Sequence, residues 1–352
     1  MLRVATATLR RRSRVVRAAF ASSLFETPAT PMVRYRSHSA VLEKYAPMYT
    51  KSAKRTRAAA ADDDDENMGP NPTLNVNRVA FIGGGNMAEA IITGMMTQEL
   101  LPPSQVLVSA PSPETRDKFD QMHVETVDKN KKALVGADVV IVAVKPQVLK
   151  QAVFEDLKKY LDPNALVISI VAGVTIDAYK KELGPDTCIV RSMPNTPAMI
   201  GEGITVWAQS SNVSDVQHEL TKKILGAFGK QVFVADEKNL DMATALSGSG
   251  PAYFFLVAEA MIDAGVHMGF SRIVAQKLVQ QTMLGSALYM QSSGLHPVVL
   301  RNNITSPGGT TAAAMYRAEK SGFRAVIADS IWAAYDRSKE LGAQAEAKSH
   351  DH

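Results

Sequence analysis

Cysteine is almost absent: Cys188 stands alone among 352 residues. One thiol excludes an intramolecular disulfide framework and any zinc site built on several cysteines, and no metal site is expected. Uninterrupted apolar runs near 18 residues are also missing, so no membrane-spanning segment is expected. Acids are scarce at the start. Residues 1–60 hold 13 Lys and Arg against Glu26 and Glu43, a net +11, whereas residues 61–352 carry 26 basic and 33 acidic side chains, a net −7. The overall +4 is therefore no sign of nucleic-acid binding. An apolar share of 46% with 21% charged residues is that of a folded protein. The length suits two domains of about 150 residues each.

The opening stretch MLRVATATLRRRSRVVRAAF has six arginines and no acid. That is the composition of an organelle-targeting peptide, with a plain basic tail as the alternative. Mitochondrial import is expected, with plastid or cytoplasmic residence as the other outcomes. Residues 1–60 are read as this basic segment and residues 61–76, which include ADDDDENMGPNP, as an acidic linker with too little apolar surface to fold. Folded structure is expected from Asn77.

A dinucleotide-binding unit is expected over 77–236. RVAFI reads as a strand, followed at once by GGGNMA and a helical run. The spacing Gly83-x-Gly85-x-x-Ala88 then gives a tight turn, close backbone approach to a pyrophosphate and close packing of helix on strand. The next strand, QVLVS, ends with Ser109 and Ser112 and with Arg116 behind, where an NAD-preferring site would offer a carboxylate. Hydroxyls and a guanidinium accept a 2′-phosphate, so NADPH is favoured over NADH; the alternative is that the serines cap the following helix. Two apolar runs, ADVVIVAVKP and NALVISIVAG, suit parallel strands buried on both faces. Their ends, Ala143-Val144-Lys145-Pro146 and Ala172-Gly173, would line the ligand crevice. TCIVR, GITVWA and QVFVA supply further strands, and the loop with Asn195 between them is placed at the crevice mouth.

Strand signals stop after Ala235, and 237–342 reads as an all-α unit with a frayed tail, 343–352. LSGSGPAYFFLVAEAMIDAGVHMG starts a helix near Pro251 that is apolar almost all round, as in an intersubunit bundle. Further helices are expected over about 273–290 and 323–341. Ser306-Pro307-Gly308-Gly309-Thr310-Thr311 is a turn into an alanine-rich helix, suited to one carboxylate. A simple helix start capped by Thr310 fits equally well.

The strings FIGGGNMAEA, ADVVIVAVKPQ, VAGVT, MPNTP, LSGSGPAY and NNITSPGGTT occur in order over about 78–341. Together they resemble the pyrroline-5-carboxylate reductase family. The resemblance implies a Rossmann domain followed by an α-helical domain whose interlocked homodimer, or larger homo-oligomer, completes the active site. It implies NADPH- or NADH-dependent reduction of 1-pyrroline-5-carboxylate to L-proline. Residue by residue, it places Ile82, Gly83, Gly84, Gly85, Asn86 and Met87 at the pyrophosphate and Asn130 at the cofactor. Ala143, Lys145 and Pro146 fall at the nicotinamide side, and Asn303 matches a cofactor contact from a partner subunit. The Ser306–Thr311 loop would hold the substrate carboxylate, with Thr311 reaching the ring nitrogen, and Glu237 matches a substrate-side carboxylate. Some animal relatives have a glutamate where this chain has Gly294, and no role is transferred there.

Two other readings compete: a β-hydroxyacid dehydrogenase-like NADP enzyme and a catalytically silent dinucleotide-sensing scaffold. The first requires a glycine–asparagine–lysine helix motif that the sequence lacks. The second has no use for a carboxylate loop.

Overall fold

Eight short strands make one sheet: β1 (Val79–Ile82), β2 (Val106–Ser109), β3 (Glu125–Val127), β4 (Val139–Val142), β5 (Leu166–Ser169), β6 (Cys188–Met193), β7 (Gly203–Gln209) and β8 (Gly229–Phe233). The computed structural model describes residues 73–149 and 153–347, all within one compact unit. Strand order is β3-β2-β1-β4-β5-β6-β7-β8. The first six run parallel in Rossmann order, β7 turns antiparallel to β6, and β8 follows β7.

Side chains alternate across the sheet and so build two apolar layers. Val79, Phe81, Val108, Ile141 and Ile168 face one side, with Ile91 and Met95 of helix α1 (Asn86–Thr97). Ala80, Ile82, Val140, Val142 and Val167 face the other. There they meet Leu134 of α3 (Asn130–Leu134), Leu157 of α4 (Phe154–Tyr160) and Tyr179 of α5 (Ile176–Leu183). Helix α2 (Pro113–Asp120) lies between β2 and β3, and α6 (Asp215–Gly226) between β7 and β8. Two-sided burial is why β1, β2, β4 and β5 are fully covered and apolar at nearly every position.

A short helix α7 (Asn239–Ala243) passes through a π turn (Thr244–Gly248) into α8 (Gly250–His267) and α9 (Arg272–Ser293). Then come α10 (Pro297–Asn303), α11 (Thr310–Lys320) and α12 (Phe323–Ala347). Ser271 caps α9 by accepting from the Val274 N–H. Phe254, Phe255 and Leu256 on α8, Leu284 and Leu288 on α9 and Trp332 on α12 are all exposed on the single chain. Such a display is costly in water and marks a surface for association.

Three expectations need correction. The core starts before Asn77: Leu74 is buried and its N–H donates to the Leu100 carbonyl at 2.9 Å. The last helix runs to Ala347, through part of the expected tail, because AQAEA is rich in strong helix formers. Finally, Asn239–His267 contains an 18-residue stretch with a mean hydropathy of 1.2, and by length and composition alone this helix could cross a membrane. Glu259 and Asp263 interrupt the helix, so it holds no uninterrupted apolar run of that length. The targeting segment and most of the linker lie outside the described residues.

Candidate active site

The cradle after β1 is set by backbone geometry. Gly83 has φ +102°, and a Cβ there would lie 2.6 Å from the Ala143 carbonyl oxygen and 2.9 Å from Val144 Cγ1. A Cβ on Gly84 would meet Phe119 and Thr115, both at 2.7 Å. Gly85 caps α1 with no side-chain hydrogen bond, so the first N–H groups of the helix, from Asn86 and Met87 onward, carry no side-chain cap. The acid in that first turn, Glu89, is buried and neutralised by Lys118 at 2.9 Å. The positive end of the helix dipole thus remains available to an anion.

Beside the cradle, Gly83, Ser109, Pro111, Asn130, Val144 and Asp156 are among the residues lining a cavity of about 510 Å³. The Ser109 hydroxyl donates to Asn130 Oδ1 at 2.7 Å, and Asn130 Nδ2 donates to Asp156 Oδ2 at 2.9 Å. Ser112 sits at the N-cap position of α2 but makes no side-chain cap, which removes capping as its role. Arg116 is engaged locally: its Nη1 donates to the Ala110 and Pro111 carbonyls, both at 2.8 Å. Two cations that sequence reasoning passed over, Lys129 and Lys131, line the same cavity. Near them the exposed Asp128 carboxyl is held below its ordinary range by its hydrogen bond to Lys132.

At the strand end, Ala143 and Val144 lie against Gly83, and Lys145 beyond them is exposed. Gly173, next to Ala172, packs under Leu341 and Gly342 of α12. Asn195 is nearly buried and ties two segments together. Its Nδ2 donates to the Ser247 carbonyl at 3.2 Å, and its Oδ1 accepts from the Ile204 N–H at 2.9 Å. Glu237 is similarly engaged: Oε1 accepts from Arg191 Nη1 at 2.8 Å and from the Ile176 N–H at 2.9 Å. Arg191, buried on β6, also donates to Asp241 at 3.3 Å, and Ser338 of α12 donates to that same carboxylate oxygen at 2.9 Å. Below this cluster the buried Tyr179 hydroxyl donates to Ser169, and burial pushes its phenol well above the ordinary range.

Gly308, with φ +69°, turns the chain into α11. The helix cap is Gly309, not Thr310; its own N–H donates to the Ser306 carbonyl at 3.1 Å, and among the described residues no side-chain cap is made to the N–H groups that follow. A glycine in extended conformation already fills the cap position, which leaves the Thr310 and Thr311 hydroxyls outside it. Ser306, Gly308 and Thr310 are exposed, as is Asn303 at the end of α10, and α11 packs against α12. Among the described residues no hydrogen bond or ion pair joins this loop to the crevice. Nor is any group of three His, Cys, Asp or Glu placed to hold a metal.

Known proteins match both halves. Residues 237–341 match the family model for pyrroline-5-carboxylate reductase dimerisation, and residues 78–173 that for NADP oxidoreductase, coenzyme F420-dependent. A pyrroline-5-carboxylate reductase of Arabidopsis thaliana is 41% identical over 265 residues, 75% of this chain and 95% of the relative. One from Pseudomonas aeruginosa is 41% identical over 272 residues, 77% of this chain and 99% of the relative. A Plasmodium falciparum pyrroline carboxylate reductase solved with NADP bound superposes with a TM-score of 0.70 at 32% identity, over 77% of this chain and all of that one. A solved Coxiella burnetii reductase gives 0.70 at 38%, over 76% and 99%. With a glycine cradle at one end, an uncapped threonine helix at the other and relatives matched along nearly their whole length, the chain belongs to the pyrroline-5-carboxylate reductase family.

Proposed function

We propose that this protein reduces 1-pyrroline-5-carboxylate to L-proline, the last step of proline synthesis, using NADPH, with NADH as a second cofactor. The observation that carries the reading is the turn at Gly83. A single added Cβ at Gly83 would overlap Ala143 and Val144, so the turn packs backbone against the end of β4, while a Cβ at Gly85 would meet nothing within 4 Å, which leaves the uncapped start of α1 open to a ligand. The cradle fits a dinucleotide: Ile82 to Met87 would face the pyrophosphate, Ser109, Ser112 and Asn130 the adenosine ribose, and Ala143 to Pro146 with Ala172 and Gly173 the nicotinamide side. When bound, the nicotinamide supplies the hydride.

A cyclic imine needs that hydride at carbon and a proton on nitrogen. The imine arrives protonated, so no strong general acid is required and positioning supplies most of the acceleration. The Gly308 and Thr310 N–H groups would hold the carboxylate at the start of α11, with Ser306 beside them, while the Gly309 N–H closes the turn on the Ser306 carbonyl at 3.1 Å. Thr311 Oγ1 would then bond the ring nitrogen. That bond strengthens as the nitrogen becomes an amine, and so acts in the transition state. Asn303 would reach the cofactor of a partner subunit. The family's dimerisation domain makes the protein a homo-oligomer, and we propose a dimer as its smallest active form.

The direct test is NADPH oxidation with pyrroline-5-carboxylate, against a control for 3-hydroxyisobutyrate-dependent NADP reduction. Thr311→Ala should lower kcat/KM about 5- to 150-fold, the worth of one hydrogen bond of about 1–3 kcal/mol, and leave NADPH affinity intact. If kinetics are untouched and the melting temperature alone falls, the loop is only a helix start. We also propose mitochondrial residence, supported by the arginine-rich, acid-free opening of the sequence. Mapping the N-terminus of the protein isolated from cells tests it; intact Met1 on cytosolic protein would sink it.

A further inference from the structure

The Ser109–Asn130–Asp156 chain of hydrogen bonds has a direction, and the direction decides what Ser109 can offer a ligand. A carboxylate only accepts. Asp156 Oδ2 lies 2.9 Å from the Asn130 side chain, so the group turned towards it is Nδ2, and Oδ1 is thereby turned towards Ser109. Oδ1 also only accepts, so the single hydroxyl hydrogen of the buried Ser109 is committed to Asn130 at 2.7 Å. What Ser109 Oγ has left is lone pairs. Lone pairs suit a hydroxyl donor and oppose a phosphate, whose oxygens at neutral pH are acceptors. Ser109, Asn130 and Asp156 line the same cavity, at the end of β2, where a Rossmann fold seats the adenosine ribose.

We propose that Asp156 is a positioning residue for cofactor choice. By fixing the polarity of Asn130 and Ser109 it presents an acceptor to the ribose 2′-hydroxyl of NADH, and so restrains the preference for NADPH. The proposal rests on reading this crevice as the dinucleotide site. It assigns a role to a residue far along the chain from the glycine turn and from the end of β2.

The experiment is equilibrium binding of NADPH and NADH to the apoenzyme by fluorescence titration, with thermal melting as a check on folding. In Asp156→Asn the side chain can donate as well as accept, so Asn130 can turn over and release the Ser109 hydrogen towards a 2′-phosphate. The NADPH Kd should fall about 5- to 20-fold, the gain of one hydrogen bond to a charged group, while the NADH Kd stays within about twofold or weakens. Lost charge repulsion would give the same sign, so the substitution is repeated in a Ser109→Ala background. A gain that vanishes there supports the relay; a gain that persists overturns it. Glu155→Gln removes a charge from an exposed neighbour on the same helix and should leave both constants unchanged. An equal shift there, or no change or equal changes of both constants in Asp156→Asn, also overturns the proposal. Gly83→Ala is run in parallel. If it abolishes binding of both cofactors while Asp156→Asn does nothing, the relay alone falls. If Gly83→Ala binds normally, the crevice reading itself falls.

Discussion

Replacing Arg191 by methionine is the sharpest test of how the helical part is held to the sheet. Its guanidinium is the hub of a small polar cluster: Nη1 reaches Glu237 at 2.8 Å and Nη2 reaches Asp241 at 3.3 Å. The arginine side chain is 5% exposed, whereas Glu237 and Asp241 are 24% and 21% exposed. Removing one partner of a fully buried pair costs about 3–5 kcal/mol, because the other charge is left stranded. Here both carboxylates keep some water, Glu237 keeps the Ile176 N–H, and Asp241 keeps Ser338. The cost therefore falls at or below the lower end of that range, about 2–3 kcal/mol for Arg191→Met. At roughly 2–4 °C per kcal/mol for a chain of this size, the melting temperature should fall by about 4–12 °C. Calorimetry at matched protein concentration measures it, since an oligomer's melting point shifts with concentration. Arg191→Lys keeps the charge, but an ammonium is a point donor that cannot fork between two carboxylates, so it should recover about half the loss. If Arg191→Met melts within 1 °C of the parent protein, the cluster carries no stability and the reasoning fails.

Gly83→Ala should abolish NADPH binding in a titration, because its Cβ would meet the Ala143 carbonyl at 2.6 Å and φ is +102°; binding within threefold of the parent would exclude a cofactor beside this turn. Among the described residues Thr205 Oγ1, buried on β7, has no hydrogen-bond partner, so Thr205→Val should raise stability by about 1 kcal/mol in denaturant titrations, and a loss would reveal a missed partner. Subunits carrying Gly83→Ala, expected to be inactive, and subunits carrying Thr311→Ala, expected to keep at most about a fifth of the parent activity, should together reach about a quarter of it or slightly more when co-assembled at random. Half of the dimers are then mixed, and each mixed dimer has one intact composite site; no recovery would place both halves of a site within one subunit.

Local patterns in the sequence reveal most of the fold. β1, β2, β4 and β5 are legible because two-sided burial makes them continuous apolar runs. β3 is not, since Glu125–Val127 is three residues long, lies at the sheet edge and is only partly covered. The glycine turn and the SPGGTT loop are equally legible, because backbone geometry there demands particular residues in a row. What escapes is pairing at long range. Glu237 meets Arg191 46 positions away, and Asn195 meets Ser247 52 positions away. Asp156 joins Asn130 across 26 positions, with nothing in a seven-residue helix to announce it. Side chains of this kind carry no periodicity; chain crossing brings them together.

The two halves of the site also differ in what completes them. The cradle is finished within one chain: Gly83 is braced by Ala143, and Ser109 is locked through Asn130. The loop we propose for the substrate carboxylate is not. Its cap is a bare glycine, and helices of the same α-helical part expose Phe254, Phe255, Leu284 and Trp332 to water. A surface of that size is stable when another copy covers it, so assembly and completion of the substrate half are one event. Dilution below the dimer dissociation constant should therefore remove activity before it removes dinucleotide binding. On the proposed reading the two half-sites obey different concentration laws, because one is built by folding and the other by association.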